Sequence, residues 1–270
     1  MIQIRRPWTR QPQTPTKLST TGIGAKCFWA INPAVGLAVT RNGTFYKLSV
    51  TGAKKVPSRA GFGFGFGSTY GTATSDRVTA ADFSPPTGGI SVFARYYVAS
   101  GASASGRIFE FSGINFVSQC GGDSGRNTTS GSYQYATPTG IGTTGITRSV
   151  GFVFPEPAAA PYAFIEGASV SNTASANGIA PSVSASGTIY LGNRAALDRS
   201  FSGVLYELSF FDSVLSPGEF LALHNNGNLI YEPQRTYVPM SAASSGLPTL
   251  TALTASNITT SGYRATVAGS

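Results

Sequence analysis

Charge is scarce in this sequence: Asp, Glu, Lys and Arg together make up 11% of its 270 residues. A chain so poor in Glu and Lys lacks the material of long solvated helices, which argues against a helical domain. Cysteine is scarcer still. Cys27 and Cys120 lie far apart and neither belongs to a CxxC pair, so a disulfide framework is excluded and two buried free thiols are expected. His224 is the only histidine, which with two isolated cysteines excludes a standard zinc site. No apolar run approaches membrane-spanning length, and Met1–Trp8 has no apolar stretch of the secretory kind. A protein made in the cytosol, with no membrane partner, is the expectation.

Glycine and aromatics are plentiful. The 33 Gly suit short strands joined by tight turns, while 17 Phe and 12 Tyr supply ring surface that has to be buried, which argues against disorder. Basic residues are unevenly placed. Residues 1–75 carry ten basic side chains and no acidic one, whereas residues 76–270 carry nine basic and eleven acidic. The excess belongs to the N-terminal segment. It fits docking onto an acidic protein surface, contact with nucleic acid, or a solvated basic tail. No nucleic-acid-binding motif accompanies it, so nucleic acid is not expected as a partner.

Residues 1–21 read as an extended arm, because Pro7, Pro12 and Pro15 remove backbone donors and disfavour helix before them. Within it Arg5, Arg6, Trp8 and Arg10 are the candidate docking residues. A Trp flanked by cations suits an anchor on a partner surface; the alternative is that Trp8 folds back onto its own domain.

From Cys27 onward strands and turns alternate. Ile90–Val98 places Ile90, Val92, Ala94, Tyr96 and Val98 on one face and Ser91, Phe93, Arg95 and Tyr97 on the other. Val150, Phe152 and Phe154 repeat the pattern, Tyr162–Ile165 runs into a hairpin turn at Glu166-Gly167, and Ile189 and Leu191 alternate before Gly192. Val204–Phe211 is strongly apolar, with Glu207 its one charge. In Gly61–Gly67 glycine and phenylalanine alternate strictly, which suits a core strand or, through the glycine face, a contact between subunits. One helix is marked by a capping box, Ser216-Pro217-Gly218-Glu219, and stopped by Asn225-Asn226-Gly227. The fold class expected is all-β: an antiparallel jelly-roll sandwich over residues 22–232 with one short capped helix, though alternation alone leaves a closed barrel open. Residues 233–270 form a Ser/Thr/Ala-rich linker and a tail with candidate strands at Leu247–Leu253 and Tyr263–Val267. Two strands alone are marginal, so they are expected to pair with another chain or with the main domain.

Three stretches, Ile189–Arg194, Phe201–Phe211 and Leu215–Phe220, resemble in order and spacing the closing strands and helix of the laminin-G and concanavalin A-like lectin superfamily. The arm Arg5–Pro12, the segment Ile31–Leu37 and the segment Glu232–Pro239 are similar to parts of lectin-like proteins encoded by tailed phages. The resemblance implies a virion protein assembled in the host cytoplasm: a tail fibre, head fibre or minor structural component. Its implied partners are other virion proteins of tail, connector or capsid, further copies of itself, and host surface polysaccharide. Some relatives in that superfamily bind glycan or calcium, but no residue-by-residue match carries those sites over.

Catalysis is not expected. Gly122-Asp123-Ser124-Gly125 is similar to the nucleophile motif of trypsin-like proteases, yet His224 follows the serine where that family places its histidine well before it. The eleven acids are scattered, without the clustered carboxylates of jelly-roll glucanases. Asp76 and Asp82, or Asp198 near Asn193, are conceivable calcium ligands, with a solvated loop acid the plainer reading. No cofactor is expected.

Overall fold

The computed structural model describes residues 2–59, 61–84, 88–100, 106–111, 116–119, 124–129, 132–138, 143–155, 160–170, 172–176 and 187–238. The first strands in chain order are β1 (Ile2–Arg6), β2 (Cys27–Asn32), β3 (Leu37–Thr40), β4 (Phe45–Lys47), β5 (Ser49–Thr51), β6 (Lys54–Ser58) and β7 (Gly61–Phe66). Then come β8 (Arg77–Phe83), β9 (Ile90–Val98), β10 (Arg107–Phe111), β11 (Phe116–Gln119), β12 (Ser124–Thr129) and β13 (Ser132–Pro138). The last are β14 (Thr147–Phe154), β15 (Tyr162–Ile165), β16 (Ala168–Val170), β17 (Asn172–Ala176), β18 (Gly187–Leu191), β19 (Gly203–Phe211) and β20 (Gln234–Val238).

Two antiparallel sheets face each other. One runs β17-β13-β12-β11-β10-β18-β8-β5; the other runs β16-β15-β14-β9-β19-β2-β3-β4, with β6 and β7 joined to it along β19. Separate sheets make this a lectin-like β-sandwich and not a closed barrel. The period-two reading of β9 is observed: Ile90, Val92, Ala94, Tyr96 and Val98 lie in the core between the sheets, with Val150, Phe152 and Phe154 of β14, Phe109 and Phe111 of β10, and Ile189 and Leu191 of β18. Each such large apolar side chain contributes about 1.5–3 kcal/mol on leaving water.

The opposite face of the second sheet is buried too. Phe93, Val153, Phe164 and Phe211 are covered by Phe220 and Leu223 of the capped helix Pro217–Asn225 and by Ile230 and Tyr231 beyond it. The capping box is complete, because Ser216 Oγ accepts from the Glu219 amide while Glu219 Oε2 accepts from the Ser216 amide at 2.9 Å. Phe220 stacks on Phe164 with ring centres 4.4 Å apart. Beneath it Gly151 leaves no room: a Cβ there would sit 2.3 Å from the Phe220 ring. Gly151→Val is therefore expected to lower stability by about 1–3 kcal/mol, read from the midpoint of a urea melt.

The hairpin turn at Glu166-Gly167 also forms. Both residues have positive φ, 53° and 80°, as a two-residue turn between twisted strands demands. In β7, Phe64 and Phe66 enter the core while Gly65 receives Tyr70 and Val56 against its bare backbone. The glycine face is thus filled by the chain itself. Beyond the expected helix there are single turns at Gly22–Lys26 and Gly67–Tyr70 and a 3-10 turn at Gly227–Ile230.

Candidate functional site: the terminal ribbon

Among the described residues, strands β1 and β20 pair only with each other, in register from Ile2 opposite Val238 to Arg6 opposite Gln234. The two ends of the described chain thus form one ribbon. Its root is fixed by polar groups that need partners once Trp8 is half-buried. The Trp8 indole N–H donates to the Glu232 carbonyl at 2.8 Å, and Asn226 donates to the Trp8 carbonyl at 2.9 Å. Trp8 packs against the cluster under the capped helix. Of its two readings, folding back onto its own domain is the geometry observed.

The rest of the expected arm is held in the same way. Gln11 is buried, donating to the Tyr206 carbonyl at 2.8 Å and accepting from the Phe62 amide at 2.9 Å. Leu18 makes a bridge with Tyr231, and the Ser19 amide donates to the Ile230 carbonyl at 2.7 Å. Residues 8–19 therefore line the sandwich, because buried backbone and amide groups cannot be left unpaired.

Arg5, Arg6 and Arg10 are exposed, and the structure adds Arg235, which stands directly across from Arg5. Arg6 donates to the Gln234 side chain at 2.9 Å. None of the four forms an ion pair among the described residues. Like charges facing each other across a pair of strands repel, and both outer edges of a two-stranded ribbon present unpaired backbone groups. Such a surface can accept an acidic partner, either through the guanidinium groups or by adding a strand. Sequence reasoning missed Arg235, since its neighbour across the ribbon lies at the far end of the chain. The tail strands proposed at 247–253 and 263–267 lie outside the described residues.

A second feature is an open groove of about 380 Å³ beside β2 and β3, lined by Phe28, Thr40, Arg41, Asn42 and Tyr46 among others. Arg41 is fixed there by Asp212, with Nη2 to Oδ1 at 2.7 Å. Aromatic surface beside hydroxyl, amide and guanidinium groups is the chemistry of a polar, ring-shaped ligand.

Most described acids have structural partners. Glu110 pairs with Arg107, Glu207 with Arg95, Glu219 with Lys26, Asp212 with Arg41 and Asp198 with Arg194. The Arg194 hydrogen bond holds the Asp198 carboxyl below the usual range. Asp76 is fully buried and accepts from the amides of Gly67, Thr72 and Ala73 and from the Thr72 hydroxyl. These interactions occupy the proposed calcium ligands Asp76 and Asp198; the side chain of Asp82 lies outside the description, and no cluster of three or more metal-ligating side chains occurs among the described residues.

His224 Nδ1 lies 2.8 Å from Ser149 Oγ, a contact that sequence did not suggest. Ser149 is buried on β14, so the pair fastens the end of the helix to the sheet. Burial pushes the Cys27 thiol up to about 12, which leaves it inert as a nucleophile. Cys120 and the Gly122-Asp123 half of the protease-like motif lie outside the described residues.

No family model and no curated protein matches this chain. Among solved structures it is similar to domain 4 of AbnA, an extracellular GH43 arabinanase of Geobacillus stearothermophilus, in complex with arabinotriose. That match has 15% identity and a TM-score of 0.52 over 66% of this chain and 88% of that domain. It is also similar to the binding domain of botulinum neurotoxin serotype D/C VPI 5993, with 11% identity and a TM-score of 0.50. There it covers 76% of this chain and 53% of that one, so it spans about half the length of the toxin domain. At these identities the likeness defines the class by fold: a lectin-like β-sandwich.

Proposed function

We propose that this chain is a non-catalytic, lectin-like component of a tailed-phage particle, attached to neighbouring virion proteins through its terminal ribbon. The observation that carries the reading is the ribbon itself. It projects Arg5, Arg6 and Arg235, with Arg10 exposed just beyond its root. Among the described residues these arginines have no acidic partner and both strand edges are open, an arrangement that calls for an external partner. The similarity of Arg5–Pro12 and Glu232–Pro239 to lectin-like phage proteins supports it, since residues 5–8 and 232–238 of those segments belong to the ribbon and its root. The structural use of most described carboxylates supports a non-catalytic role. Particles purified from the encoding phage should contain the chain at a fixed copy number. Its recovery only in the unassembled fraction would overturn the proposal.

A second reading, compatible with the first, is recognition of a host surface glycan. The groove beside Phe28, Tyr46 and Arg41 favours it, as does a fold shared with a domain solved in complex with arabinotriose. Saturable binding of host polysaccharide by the full chain is the expected result, and a flat titration would remove this reading.

A further inference from the structure

A different part of the molecule gathers guanidinium groups. The connection from β18 to β19 is folded around Asn193, which is fully buried. Its Oδ1 accepts from the amides of Arg194 and Arg199 at 2.9 and 3.1 Å, and its Nδ2 donates to the Thr74 carbonyl at 2.9 Å. This one side chain sets the backbone from which Arg194 and Arg199 leave. Two strand starts bring in two more arginines. Arg77 of β8 donates to the Ala195 carbonyl at 3.2 Å and lies over the Tyr190 ring, 5.2 Å from its centre. Arg107 of β10 donates its amide to the Arg199 carbonyl at 2.9 Å.

Four guanidinium groups thus share this end of the sheet with two carboxylates. Asp198 takes Arg194 and Glu110 takes Arg107, leaving Arg77 and Arg199 without an acid among the described residues. Hydrogen bonding is incomplete as well: Nε of Arg77, Nε of Arg199 and Nη1 of Arg107 are buried without an acceptor among the described residues. Burial pushes the Arg107 guanidinium below its ordinary range; Glu110 opposes that shift, while Arg199 and Arg194 add to it by repulsion. Uncompensated like charges cost free energy, and an anion bound at the accessible atoms of these guanidinium groups would relieve that repulsion.

We propose that Arg77, Arg107 and Arg199 form a subsite for the carboxylate of an acidic polysaccharide. This inference rests on the glycan-binding reading and adds a substrate class to it. A planar guanidinium matches a carboxylate through two parallel hydrogen bonds, a geometry that an ammonium group does not reproduce. The three arginines leave the backbone at one end of one sheet, where β8, β10 and β18 are neighbours, and not along an extended surface that a nucleic-acid backbone would need. Arg77, held by Tyr190 and Ala195, is ordered before any ligand arrives.

The test is calorimetric titration of the full chain with an oligogalacturonate, a neutral arabino-oligosaccharide of equal length, and polyphosphate. Oligogalacturonate should bind, and Arg77→Met with Arg199→Met should weaken that binding at least about tenfold, or 1.4 kcal/mol, while the variant still melts cooperatively well above the titration temperature. Arg199→Lys, which keeps charge and fold but loses the planar fork, should still weaken it measurably. Undiminished oligogalacturonate binding by the variants would overturn the inference, as would equal binding of polyphosphate with equal loss. Binding of the neutral sugar alone would overturn it while leaving the glycan reading intact. No binding of either sugar would remove both.

Discussion

Replacing Arg95 with methionine is expected to lower stability by about 3–5 kcal/mol at neutral pH. Arg95 and Glu207 face each other across β9 and β19, with Nε to Oε2 at 3.1 Å. The same guanidinium donates to the carbonyls of Leu223 and His224, at 3.2 and 2.8 Å, and so closes the end of the capped helix. The Glu207 carboxylate is shut in from the other side by Gly227, where a Cβ would lie 2.1 Å from Oε2. Losing Arg95 strands a buried charge and releases two carbonyls at once. Burial pushes the Glu207 carboxyl above its ordinary range, and the attraction of Arg95 opposes the shift.

The sign of the pH dependence follows from that direction. The native state holds the Glu207 proton more tightly than the unfolded chain, so this group's stabilising contribution is full below the ordinary carboxylate range. It is lost as pH rises through the raised value. Without Arg95 the carboxyl moves higher still, and the deficit of Arg95→Met should shrink as pH falls from about 7 toward about 5. Urea melts at the two pH values check it. A deficit independent of pH, and unchanged when Glu207→Leu is added, would show that the ion pair is not its cause.

Asp76→Ala is the second large effect, expected at about 3–4 kcal/mol. The carboxylate receives the Thr72 amide at 2.7 Å, the Ala73 amide at 3.0 Å, the Gly67 amide at 3.1 Å and the Thr72 hydroxyl at 2.7 Å. Hydrogen bonds to a charged acceptor contribute about 1.5–3 kcal/mol each, and their shared acceptor keeps the sum below four separate losses. The cavity is shaped for this group. Cβ atoms at Gly52 and Gly71 would meet its oxygens at 2.0 and 1.8 Å. Asp76→Asn, which retains one acceptor oxygen, should cost about half as much in guanidinium melts. A neutral result for Asp76→Ala would mean that water replaces the carboxylate without loss.

The features legible in the sequence are those set by near neighbours. Alternation in β9 and β14 locates the core because a strand shows its faces every second residue. The capping box at Ser216 and the turn at Glu166-Gly167 are local chemistry, complete within four residues. The ribbon was only half visible. Arg5, Arg6, Trp8 and Arg10 stood out by composition, but β20 carries no alternating apolar pattern and Arg235 meets Arg5 only after the whole chain has folded. The burial of Gln11 was hidden for the same reason, since its partners Phe62 and Tyr206 come from distant strands. The arginine patch depends on Asn193 bending a loop toward the starts of β8 and β10, which no spacing rule reports.

Particle incorporation of a charge-reversed ribbon gives the most direct test of the central claim. Arg5→Glu, Arg6→Glu and Arg235→Glu together alter exposed side chains only, so the sandwich should melt within a few degrees of the parent. Quantitative mass spectrometry of purified particles should then find the variant chain depleted to near background, with the parent chain at full copy number. Variant and parent present in equal amounts would contradict attachment through the ribbon.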